Sequence, residues 1–162
     1  MPKTFRQNKG FIDALLDEYQ KAIEEYKEVL HSLSPQQFTA IADAVTLNKN
    51  CVSVQSVTNH TLLAGYGYLY MIAKQFGDLP YERKKEVDVS SIENSCAELE
   101  ALLMHSEVRL TPKANITDEE IRNNIIKSPW GQTFDIDQLL EHAVMHVIRH
   151  RRQIEIFKTR LQ

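Results

Sequence analysis

A chain of 162 residues with 43% apolar and 25% charged residues has the make-up of one globular domain, spanning 1–162, that can bury a core without disulfides. Its net charge of −3 argues against nucleic-acid binding, which leaves a basic excess. Five glycines and five prolines are too few for a turn-rich all-β fold.

The opening "MPKTFRQNKG" carries basic residues but no apolar stretch of the kind that a secretory signal needs. Phe11, Leu15, Ile23, Tyr26 and Leu30 then fall near one helical face and predict a helix over 9–33. "SLSPQQF" breaks it. Ser34 is an N-cap followed by a proline at the first helical position, which predicts a short helix to about Ala44.

After the loop "TLNKN", Ser53 caps a long helix that runs to Phe76 and stops at Gly77. Its most apolar part, 61–73, is too short to cross a bilayer. A polar connector, "YERKKEVDV", leads to a third long helix capped by Ser90 or Ser91 and continuing to about Glu107. Thr117 with three acidic residues behind it starts a short helix that ends before Pro129. Asp135 opens a last helix to about Leu161. No segment alternates with period two long enough to predict a strand. The expected architecture is therefore all-α: a four-helix bundle with short additional helices in the connections.

Cys51 and Cys96 form no CxxC pair and read as free thiols of a reducing compartment. With no signal and no membrane span in the sequence, the expected location is cytoplasmic.

The last helix carries His142, His146 and His150, half of the six histidines. Ile136, Leu140, Ala143, Val147, His150, Ile154, Phe157 and Leu161 are spaced by fours and threes, the seam of a bundle helix. His150 therefore stands where an aliphatic residue is normal. His146 lies about 40° to one side, and His142 about 40° further round, as a flank or surface residue. His146 and His150 are roughly 6 Å apart along the axis, so two imidazoles can converge on one ion about 2.0–2.1 Å from each nitrogen. A third ligand must come from another helix. His60 shares an apolar face with Val57, Ala64 and Met71, and the small residues Ala64 and Gly67 leave room beside it.

Two readings of these residues stand side by side. A histidine on an apolar face is commonly a hydrogen-bonded core residue. Three unpaired imidazoles in one core would each lose hydrogen bonds, which a shared metal ion would restore. His31 and His105 lie near predicted helix ends, where a partly charged imidazole suits the dipole. A zinc peptidase is excluded, because Val147 follows His146 where HExxH needs its glutamate. No Glu-x-x-His pair repeats on two helices, as a di-iron bundle requires.

"SVQSVTNHTL" and "MHVIRHRRQI" together resemble the DinB/YfiT-like family of four-helix bundles, over nearly the whole chain. The resemblance implies that His60, His146 and His150 occupy the three ligand positions for a divalent metal ion, zinc or nickel, and that Arg151 and Gln153 match the residues that follow. Arg149 stands where histidine is frequent and Arg152 where glycine is frequent; both alter the rim. Residues 108–134 form a longer last connection than is usual.

The resemblance further implies a metal-dependent transferase using a small-molecule thiol and an electrophilic substrate. Glu141 and Gln153 are candidates for supporting the ligands. The alternative is a non-catalytic bundle whose ion is structural or adventitious and which acts through protein partners. A homodimer fits either reading.

Overall fold

The computed structural model describes residues 10–78 and 80–162. The expected helix start at residue 9, and the leading segment 1–9, lie outside the described residues.

Helix α1 (Phe11–His31) buries one face through Ile12, Leu16, Ile23, Tyr26 and Leu30. Helix α2 (Pro35–Thr39) starts on a capping box in which Ser34 Oγ accepts from the Gln37 N–H at 3.2 Å. It ends five residues earlier than the sequence predicts. Ala40 turns to an extended conformation, and the N–H groups of Ala42 and Asp43 donate to the Val52 carbonyl at 2.9 and 3.1 Å. Pairing with the approach to the next helix thus overrides local helical preference.

Helix α3 (Val54–Phe76) is capped by Ser53, whose Oγ accepts from the Ser56 N–H at 3.1 Å, and ends at Gly77 with φ 72°, a left-handed conformation that suits glycine. Helix α4 (Ile92–Leu110) starts on Ser91 and runs nearly one turn beyond the expected Glu107. Helix α5 (Asp118–Asn123) follows the Thr117–Glu120 capping box and stops well before Pro129.

The segment between is a small hairpin that the sequence does not predict. Strand β1 (Ile126–Lys127) pairs antiparallel with β2 (Thr133–Phe134), Ile126 opposite Phe134. Two residues per strand give no measurable period. The Ser128 N–H donates to the Gln132 carbonyl at 2.8 Å and closes the turn. Helix α6 (Ile136–Arg160) begins on Asp135, whose carboxylate accepts from the Gln138 N–H at 2.8 Å.

The four long helices form the bundle. Helix α1 packs on α4 and α6, and α3 packs on the same two, so α1 and α3 lie on one diagonal. Tyr26 meets Thr58 at 3.2 Å while the Tyr19 hydroxyl approaches Gly65, so α1 and α3 are antiparallel. Arg151 pairs with Glu25, and Lys158 Nζ donates to Ser32 Oγ at 2.8 Å, so α1 and α6 are parallel.

Helix α3 runs alongside α4 in the same direction: Gln55 donates to the Val89 carbonyl just before α4, and Gly65 meets Leu102. Two parallel neighbours need a connection that travels the length of the bundle. Residues 77–78 and 80–91 belong to this connection and are non-helical, with Arg83 over Gly67 and Val89 at Gln55. The core includes Leu62, Leu99, Leu102, Ile136 and Leu139, all fully buried. Each contributes roughly 1.5–3 kcal/mol of transfer free energy. No helix of the described residues is long and apolar enough to cross a membrane.

Candidate metal centre

Helix α3 brings His60, and helix α6 brings His146 and His150, to one point. His146 and His150 are one turn apart on the same side of α6, so His60 of α3 faces both. One ligand nitrogen from each histidine lies within 4.8 Å of the others. His146 Nε2 is 3.2 Å from His60 Nε2 and 3.2 Å from His150 Nε2. Two nitrogens held about 2.0–2.1 Å from a tetrahedral zinc ion are about 3.3 Å apart, so the spacing fits a common cation.

Protonation supports the same reading. His150 is buried, with 1% of its surface exposed, and its Nδ1 lies 2.9 Å from Gln153 Oε1. The amide oxygen accepts, so Nδ1 carries the proton and Nε2 presents a lone pair. A neutral His146 has one N–H at most and satisfies only one of its two neighbours. The three rings therefore leave lone pairs facing one another, an arrangement that a cation relieves.

Added protons are resisted. Burial, then the neighbouring His150 and His60, push His146 down to about 3. Burial also takes His150 down to about 4, partly opposed by its Gln153 hydrogen bond. His60 is lowered by burial and then by the positive charge of Arg149. Neutral imidazoles at ordinary pH are the form a metal needs. The three histidines could therefore hold a metal ion.

The outer face opens on a cleft of about 810 Å³. Ala64 and Gly67 line it, as their size predicts, and so do His60 and His146. His142 does not simply turn away to solvent. It is half-buried in the cleft wall, stacked on Trp130 with ring centroids 6.2 Å apart and edge-on to Tyr68 at 5.5 Å. Tyr68 also stands edge-on to His146 at 5.8 Å, so an aromatic wall runs from the histidines to the mouth.

Sequence reasoning missed Tyr68, Trp130 and Arg83. Trp130 sits on the β1–β2 turn and Arg83 on the crossover, where no helical period reports which way a side chain points. "SPWGQTF", a tryptophan inside a turn, was the available signal.

The other candidates separate cleanly. Gln153 supports His150, whereas Glu141 is exposed and touches none of the three histidines. His31 ends α1 as expected; His105 lies more than a turn inside α4, edge-on to Tyr66 at 5.7 Å. Cys51 and Cys96 are both buried free thiols. Arg151 turns back to Glu25 and Glu155, Arg152 is on the solvent face, and Arg149 lines the cleft. Of the two departures at the rim, only Arg149 reaches the site.

The family model described as DinB family matches residues 3–157. No curated protein and no solved structure matches the chain significantly.

Proposed function

This chain belongs to the DinB family, and from that premise we propose that it is a metal-dependent enzyme of the thiol-transferase type. His60, His146 and His150 are its metal ligands, and zinc or nickel is the ion. The observation that carries this reading is the pairing of three converging neutral imidazoles with an open face on a large cleft. A structural ion is normally four-coordinate and enclosed; three protein ligands beside a cleft leave a position for substrate. When bound, the ion lowers the pKa of a thiol or water at that position and so makes it nucleophilic at neutral pH.

The chain's own groups do the rest. Gln153 orients His150, Arg149 adds positive charge beside the ligands, and Tyr68 and Trp130 wall the cleft. The electrophilic substrate lies against this wall. Two free cysteines suit a cytoplasmic setting.

The test is conjugation of a low-molecular-weight thiol to chlorodinitrobenzene by metal-loaded protein purified without an affinity tag. The wild type accelerates the reaction and His150→Ala does not. Equal rates would sink the proposal. Strong loss of thermal stability on chelation, with no turnover, would instead mark the ion as structural.

A further inference from the structure

The cleft lining has a charge pattern unlike that of the chain. The sequence holds 22 acidic and 19 basic residues. Lys74, Arg83, Lys127 and Arg149 line the cleft, and no aspartate or glutamate does. Among the described residues none of these four cations forms an ion pair. A concave site with charge of one sign and low-dielectric walls concentrates ions of the other sign.

Arg83 is the most specifically placed of the four. It reaches across from the crossover to Gly67 of α3. A Cβ added at Gly67 would lie 3.3 Å from its Nη2 and 3.6 Å from its Cζ, so the missing side chain lets the guanidinium lie against the helix. A guanidinium with no carboxylate partner keeps its fork of donors for a ligand, and that fork matches a carboxylate or phosphate.

The helix sets the spacing. His60, Gly67 and Lys74 are seven residues apart, so they share one stripe of α3 at intervals of about 10 Å. Between the histidines and Arg83 the lining is apolar or aromatic: Leu63, Ala64 and Tyr68.

From this we infer that the cleft takes an anionic molecule with an apolar body, and that Arg83 pairs with its carboxylate or phosphate about 10 Å from the histidine cluster. The inference deepens the reading above by adding the charge of the substrate, and its test is independent of the metal. Arg83 is a specificity residue here, outside the ligand set.

Trp130 is the chain's only tryptophan and stands in the cleft wall, half-exposed, so its fluorescence reports binding. The probes are naphthoate and its neutral isostere naphthamide, titrated into metal-loaded and chelator-treated protein. Wild type is expected to bind naphthoate at least about tenfold more tightly in both forms, a preference that falls as salt rises. Arg83→Gln removes most of that preference with metal content unchanged, and Arg83→Lys retains part of it.

Equal affinity for the two probes in wild type overturns the inference. So does failure of naphthoate to bind, or a preference that survives Arg83→Gln intact. If the protein takes up no metal yet still prefers naphthoate, the enzymatic reading falls and this one stands.

Discussion

The side-chain oxygen of Gln153 lies 2.9 Å from Nδ1 of His150, three residues back on the same helix. This contact decides which nitrogen of His150 faces the histidine cluster. Gln153→Leu removes the acceptor and frees the other tautomer. Metal affinity should fall by about 10–100-fold, the usual effect of losing a group that orients a metal-bound histidine. Competition against a chelator of known affinity measures it, with circular dichroism showing that the helices remain. An unchanged affinity would remove Gln153 from the account of the site.

The four histidines near the cleft divide sharply. His60→Ala, His146→Ala and His150→Ala should each lower bound metal well below one equivalent. His142→Ala should keep full stoichiometry, because His142 belongs to the aromatic wall and not to the converging group. Elemental analysis of untagged protein reads both outcomes. Loss of metal in the His142 variant would mean that the wall residue is itself a ligand.

Acid should destabilise the metal-free protein through this cluster. In the folded state His146 and His150 have pKa values lowered to about 3 and about 4, against 6.5 as the ordinary value. A lowered pKa means that the unfolded chain binds more protons between those limits. Stability is thus fully present above about pH 6.5 and is lost as pH falls toward 4. Each such histidine adds a slope of about 1.4 kcal/mol per pH unit within that window. Urea melts of chelator-treated protein across the range should show the decline, and the double variant His146→Leu with His150→Leu should flatten it. Identical curves would contradict the assignment of neutral buried imidazoles.

Gly65 tests the packing that holds α3 in place. A Cβ there would meet Leu102 Cδ2 at 2.6 Å and the Tyr19 hydroxyl at 3.0 Å, and Leu102 is fully buried. Gly65→Val should therefore cost about 1–3 kcal/mol by overpacking, despite the gain in helix propensity. Thermal melting checks the sign. A more stable variant would show that α3 and α4 can separate freely.

The helices of the bundle and the histidine cluster were legible for one reason. Apolar periodicity over 20 or more residues fixes a helix's inward face, and that face put His150 in the seam and His146 beside it. The side on which His60 emerges followed from the same arithmetic on α3. The hairpin at Ile126–Phe134 was not legible, because two-residue strands draw their pairing from the turn between them. Nor was the end of α2, where backbone pairing to Val52 wins over propensity. His142 was read as a flank or surface residue and lies on the flank, but its cover by Trp130 was not legible, because helix geometry says nothing about what a loop lays across a flank.

Helix packing fixes the three histidines, and a length change within α3 or α6 would rotate them out of register. Arg83 and Trp130 hang on connecting segments, where insertions and exchanges leave the helices undisturbed. The histidine end of the cleft is therefore anchored, and the end lined by Arg83 and Trp130 is adjustable. Rewriting a strap and a hairpin would reshape the cleft while the three histidines stay where they are.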